Sequence, residues 1–210
     1  MTKSRRKFQF SLRLMLVLIT AFAVWLGWQN SRSTIQRRAV EELKGAGASV
    51  VYDFQIDASG NSVPDASISA PRWLVNVLGE DFFARVIGIN AHNNKPSATT
   101  TMDDALVALD SLPSVKYVHL GGSGVTDGGL QHISKLTSLE RLGLEYTKVT
   151  NEGIAKLRNS RSLRRLYLNG LRIDDDGVSQ LEGLSNLEVV EVEGTKVTEV
   201  GLSALQMKSP

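Results

Sequence analysis

The sequence predicts an α/β fold in which one strand–turn–helix unit is repeated along the chain, and three observations carry that expectation. A 24-residue unit recurs in four consecutive copies, beginning at Leu112, Leu136, Ser160 and Leu184. Each copy holds an apolar pair two residues apart, Val118/Leu120, Leu142/Leu144, Leu166/Leu168 and Val190/Val192, which sends both side chains to one face of a strand. A second pair lies three apart, Leu130/Ile133, Ile154/Leu157, Val178/Leu181 and Leu202/Leu205, which is helical spacing. Neither element can bury its apolar side alone, so the copies must stack to make a core.

The other columns complete the unit. Val115, Leu139, Leu163 and Leu187 precede the strand, and Val125, Val149, Ile173 and Val197 follow it. Thr126, Thr150, Asp174 and Thr198 stand where a side-chain oxygen would accept from the free amides that open a helix. Three residues later come Gly129, Gly153, Gly177 and Gly201; glycine at one fixed phase implies a close approach that a Cβ would obstruct, with the neighbouring coil as the expected obstacle. A degenerate fifth unit precedes these. Leu106 and Leu109 lie 24 residues before Leu130 and Ile133, whereas Ile87 and Ile89 match Val118 and Leu120 only if seven residues are inserted within 91–100. Insertions of this kind map to loops on one edge of a stack, where partners are often met.

The pattern LxxLxxLxLxxTxVTxxGLxxLxx resembles a leucine-rich repeat of the ribonuclease-inhibitor-like and F-box-associated type, over residues 84–205. The resemblance implies a short solenoid of about five units, with a parallel sheet on one side and short helices on the other, whose usual work is to bind macromolecules. The third unit departs most, with Ser160 in place of Leu and Leu171 in place of Ser or Thr, which makes its loop hydrogen bonding the least secure. The F-box likeness does not extend to function, because an apolar anchor is expected in the place where an F-box would lie.

Upstream, Lys3, Arg5, Arg6 and Lys7 are followed by an unbroken apolar or small run from Leu14 to Trp28. Extended back to Phe8, the run is long enough, at about 31 Å of helix, to cross a hydrocarbon core of about 30 Å, with Arg13 snorkelling to the basic cluster. Trp25 and Trp28 suit the far interface. The alternative is a cleaved signal peptide, with Ala21 and Ala23 as the small residues before the cut. The basic residues before the run outnumber Arg32, Arg37 and Arg38 after it, which favours a cytoplasmic N-terminus and extracytoplasmic repeats in a single-pass cell-membrane protein. This N-terminal arrangement resembles that of bacterial single-pass membrane proteins bearing small leucine-rich repeat domains. Through Lys44 the chain has nine basic and two acidic residues, a net +7, and the remainder has 15 basic and 20 acidic, a net −5. The basic excess belongs to the anchor, and the folded part has no basic patch with interleaved aromatics of the kind that binds nucleic acid. The absence of Cys decides nothing about redox compartment.

The expected organisation is therefore a basic tail and anchor over 1–30, a juxtamembrane helix and N-terminal α+β cap over 31–83, and repeats over 84–210. Ser33 to Leu43 reads as a helix with Ile35, Ala39, Val40 and Leu43 on one side, ended by Gly45-Ala46-Gly47. A strand is expected over Val50–Phe54, a turn over 57–61, and a helix from Pro71 through Trp73, Leu74, Val77 and Leu78 to Gly79. Trp73, Phe82 and Phe83 are expected in the core of the cap, with a ligand pocket as the alternative. A first coil has no neighbour, so a cap over it is physically required.

No cofactor or metal is implied. His92, His119 and His132 fall on an inserted loop, a strand and a repeat helix, and none stands at metal-ligand spacing with another. His119 beside Tyr117 offers a general base without a neighbouring acid or nucleophile. Asp174-Asp175-Asp176 invites a calcium reading, but its phase opens a repeat helix, where the dipole favours acids. What remains is a surface: Tyr117, His119, Arg141, Glu145, Arg165, Tyr167 and Asn169 are the candidate binding residues, flanking the core pairs on the outward sheet face. Glu191 and Glu193 on the last strand suit an edge that discourages pairing. The sequence thus points to a non-enzymatic, membrane-tethered module binding a protein or envelope component. The alternative is a structural part of an envelope assembly packing through Leu202, Leu205 and Met207.

Overall fold

The computed structural model describes residues 12–57, 63, 66–92 and 101–206. The basic cluster, residues 8–11 of the lengthened apolar run, most of the 57–61 turn, most of the inserted loop and Met207 lie outside them. Helix α1 (Leu12–Gly45) runs unbroken for 34 residues. Every side chain from Arg13 to Trp28 is exposed, and the helix is long and apolar enough to cross a membrane.

Beyond Trp28 the same helix turns one side inward. Ser33, Gln36, Ala39, Val40 and Leu43 are buried, and Ile35, expected on that stripe, is instead 50% exposed. Gln36 takes the inward position because its amide satisfies the chain packed against it: Nε2 donates to Asp81 Oδ1 and to the Ala84 carbonyl, both at 2.9 Å. The helix closes in a Schellman motif, with Gly47 at φ 88°, its N–H donating to the Lys44 carbonyl and the Ala48 N–H to the Leu43 carbonyl.

Strand β1 (Ser49–Tyr52) ends two residues short of the expected strand, because Asp53–Gln55 form a 3-10 turn. Helix α2 (Arg72–Leu78) starts one residue after Pro71 and is ended by Gly79 at φ 82°. Helix α3 (Glu80–Phe83) follows directly. Phe82 is buried, but Trp73 is 67% and Val77 74% exposed, so the aromatics do not share a core or a pocket. Helix α2 packs chiefly on α3, which covers only the side carrying Leu74, Val75 and Leu78. Burial and the adjacent Asp81 carboxylate push the Tyr52 phenol up, and its hydroxyl donates to Asp81 Oδ1 at 3.1 Å.

A six-stranded sheet runs in chain order: β1, β2 (Val86–Asn90), β3 (Tyr117–His119), β4 (Arg141–Gly143), β5 (Arg165–Tyr167) and β6 (Val189–Glu191). Strand β1 pairs antiparallel to β2, and all later pairs are parallel. Between strands the chain returns through α4 (Met102–Ala105), α5 (Asp127–Ile133), α6 (Asn151–Lys156) and α7 (Asp175–Ser179), with α8 (Glu199–Gln206) after β6. Val118, Leu142, Leu166 and Val190 align across the ladder. The leucine, isoleucine and valine columns from Val115 to Leu184 are almost wholly buried in one continuous core. The C-terminal half of α1 and strand β1 cover its first layer, with Ala39, Val40, Leu43 and Tyr52 in that core.

Two expectations change in register. Ile89, not Ile87, aligns with Val118, and Ala91, fully buried, takes the place of Leu120; its N–H donates to the His119 carbonyl as Leu120 donates to Gly143. The offset is 29 residues, so the insertion is five rather than seven. In the third unit Leu171 is 2% exposed and joins the core, while the backbone turn from its N–H to the Leu168 carbonyl is kept.

The caps form a ladder between coils. Thr126, Thr150, Asp174 and Thr198 each accept from the amide two residues on. Each is in turn held from the preceding coil. Asp127 accepts from Thr150 N–H at 2.8 Å and Oγ1 at 2.7 Å, and Asp175 holds Thr198 with two bonds of 2.7 Å. Asp103 holds Thr126 in the same way. On the third rung the partners are exchanged: Asn151 Oδ1 accepts from Asp174 N–H at 3.2 Å, and its Nδ2 donates to Asp174 Oδ1 at 2.7 Å. These side chains lie over the helical glycines. A methyl built on Gly129 would come within 2.7 Å of Asp103 Oδ1, and Gly153, Gly177 and Gly201 meet Asp127, Asn151 and Asp175 still more closely. The crowding expected from the neighbouring coil is this ladder.

Candidate binding face

The outward sheet face presents three rows at right angles to the strands, with rungs about 4.8 Å apart. Tyr117, Arg141 and Arg165 share the first row and His119, Gly143 and Tyr167 the second, each aligned in the ladder register. Gly121, Glu145 and Asn169 continue into the third, where Gly122 N–H donates to the Glu145 carbonyl and Tyr146 N–H to the Asn169 carbonyl. The structure therefore brings all seven sequence-predicted residues onto adjoining positions of one face.

The first row is basic. The Arg141 guanidinium lies 5.1 Å from the Tyr117 ring centroid, within cation–π range. Arg141 is paired directly with Arg165, and like charges opposite one another weaken a sheet. Neither makes an ion pair among the described residues, although the sheet edge beside them is neutralised: Lys116 meets Glu140 at 2.9 Å and Arg164 meets Glu188. The Glu140 hydrogen bond raises the Lys116 pKa, and the Arg164 hydrogen bond lowers that of Glu188.

The other end of the strands is acidic. His119 Nε2 stands 3.4 Å from Glu145 Oε1, and its ring stacks on His92 with centroids 4.8 Å apart. His119 thus has the acidic neighbour that the sequence did not reveal. Gly121 and Gly143 allow this cluster to lie against the sheet, since a methyl on either would run into His92, His119 or Glu145. Glu145 Oε2 is buried without a hydrogen-bond partner. Asn169 Nδ2 donates to Glu191 Oε2 at 3.0 Å, and its Oδ1 accepts from the Glu193 N–H at 2.8 Å, so Asn169 is tied into the sheet. His132 lies apart, nearly buried and 3.2 Å from Asp110. Among the described residues, no group of three His, Asp or Glu is placed to hold a metal ion.

Sequence reasoning missed Tyr146. It is the one described residue other than glycine with positive φ, at 54°, in a column otherwise filled by Gly122, Gly170 and Gly194. Its side chain is 73% exposed and its ring lies over Gly170, where a methyl would collide with it. The signal was legible as a tyrosine in a glycine column. A cleft of roughly 1160 Å³ runs from Lys116, Glu140 and Arg164 toward the last coil, where Leu187, Leu202 and Leu205 line it.

No protein-family model matches the chain, and no curated protein matches it. Solved structures resemble it in part. An internalin of Listeria monocytogenes (inlF) aligns at 21% identity and a TM-score of 0.43 over 53% of this chain and 30% of that one, so the chain spans less than a third of its length. Internalin C2 of the same species aligns at 20% identity and a TM-score of 0.46, over 65% of this chain and 67% of that one. Pollen receptor kinase 3 aligns at 18% identity and a TM-score of 0.40, over 54% and 52%. The repeat assignment stands on the chain's own residues: one strand, one capped helix and one closing turn per 24 residues, stacked with the leucine columns inward, are the arrangement of a leucine-rich repeat fold.

Proposed function

We propose that this chain is a non-enzymatic binding module, tethered by α1 to a cell membrane with its repeats on the extracytoplasmic side, and that its sheet face captures a protein or envelope component. The observation that carries the reading is the Arg141–Arg165 pair. Two guanidiniums stand in register and half-buried, Arg141 over the Tyr117 ring, and neither makes an ion pair among the described residues, Glu188 acting on Arg165 only at longer range. Such an arrangement weakens the free protein and is relieved by a partner's carboxylate, which arginine binds in bidentate fashion. Tyr and Arg are also the residue types in which binding energy concentrates.

A photo-crosslinking residue placed at Tyr167 or at Leu202 of the full-length chain, in its own membrane, tests this. The expected result is a discrete adduct from position 167 that disappears in R141E/R165E while circular dichroism is unchanged. Adducts from position 202 alone would overturn it. They would favour the second reading, a structural part packing through its C-terminal end, which is supported by Val190, Val192 and Leu205 being only partly covered there. Digestion of a C-terminal tag from outside intact cells tests the orientation.

A further inference from the structure

Trp73 and Val77 are four residues apart, hence on one side of α2, and both are more than two-thirds exposed or close to it, at 67% and 74%. A helix that packs chiefly on one four-residue neighbour, with a tryptophan facing solvent, has no cover on that side among the described residues. Its position in the fold indicates what the cover is. Helix α3, on which α2 rests, and the last residue of α2 itself are fastened to α1 beyond the apolar run. Gln29 Nε2 donates to the Phe82 carbonyl at 2.6 Å, and Arg37 donates to the Leu78 carbonyl at 2.9 Å. Helix α1 has no break between Trp28 and these anchors, so helical rise sets them about 1.5–14 Å beyond Trp28. The headgroup layer on each side of a bilayer is about 5–8 Å deep, and α2 is itself only about 10 Å long.

We propose that the Trp73/Val77 side of α2 rests in the headgroup–acyl boundary of the phospholipid bilayer that α1 crosses. The proposal rests on the reading of α1 as a membrane span. Indole rings favour that boundary, and amphipathic helices lie in it with their apolar side down. The contact gives the repeat stack a second point of attachment beside α1. It fixes the side from which a partner meets the sheet face.

The test uses the full-length chain with Trp25→Phe and Trp28→Phe, which leaves Trp73 as the only tryptophan of three. It is reconstituted in phosphatidylcholine–phosphatidylglycerol vesicles with plain or brominated acyl chains. Trp73 emission should be blue-shifted and lose most of its intensity with brominated lipid, and adding Val77→Glu should restore both. Water-like, unquenched emission from a chain that floats with the vesicles overturns the proposal. Blue-shifted emission that brominated lipid does not quench also overturns it, because a protein surface such as a second copy then covers Trp73. A chain that does not float with the vesicles refutes the span itself, a separate failure.

Discussion

Replacing Asn151 with Asp would set two carboxylates face to face on the third rung of the cap ladder, where Asn151 Nδ2 now donates to Asp174 Oδ1 at 2.7 Å. The substitution removes a hydrogen bond to a charged acceptor, worth about 1.5–3 kcal/mol. It adds repulsion between charges about 4 Å apart, about 1–4 kcal/mol for effective dielectrics between water and a protein surface. Rotation of the new carboxylate relieves part of this, and one oxygen still accepts from the Asp174 N–H. A net loss of about 2–4 kcal/mol is expected from those two terms, which lowers the melting temperature by about 5–15 °C for a chain of this size. Thermal unfolding of the full chain in detergent, followed by circular dichroism, measures it. Adding Asp174→Thr recreates the Asp–Thr pairing of the other three rungs and should recover most of the loss. The deficit of N151D should also shrink as pH falls into the carboxylate range, where the pair can share a proton. A single variant as stable as the parent, or a double variant no better than the single, would refute the reasoning.

Two further outcomes follow from the same ladder. Gly153→Ala, favourable by about 1 kcal/mol in an isolated helix, should destabilise here by about 1–3 kcal/mol through overpacking against Asp127 and Val149; urea unfolding midpoints decide the sign. The backbone and side-chain hydrogen bonds from Thr198 hold the Asp175 carboxyl below its ordinary value. With its folded pKa depressed, its stabilisation is present above the unfolded value and fades as pH drops through the folded one. D175N should therefore lose less stability than the parent on acidification, measured as urea midpoint against pH.

The repeats were legible because each column is one environment sampled four times: Val118, Leu142 and Leu166 align in the sheet as their spacing required. The caps were legible for the same reason. Their second partners were not, because the acids opening a repeat helix, Asp175 among them, were read within their own helix, where the dipole gave a sufficient account, rather than across to the next coil. The cap was harder still, since each of its positions occurs once. Ile35 and Gln36 are adjacent, and only the chain packed against them decides which turns inward. Trp73 failed for a related reason: size and helical spacing describe an apolar side without saying what meets it. On the sheet face, alternation alone placed Tyr117, Arg141, Arg165 and Tyr167 together. The His92–His119–Glu145 contact needed three separate segments to converge.

The unbroken course of α1 from its exposed apolar length into the buried stripe at Gln36 and Leu43 bears on the physics of encounter. A binding domain on a flexible tether searches a volume that grows with tether length. One continued rigidly from its own span does not search; for a chain anchored as proposed, the sheet face is confined to a thin shell above the lipid and turns only as the helix turns. Diffusion is then two-dimensional and the approach direction nearly fixed. Partners embedded in the same membrane are met at high effective concentration, while those farther out are beyond reach unless they descend to the surface.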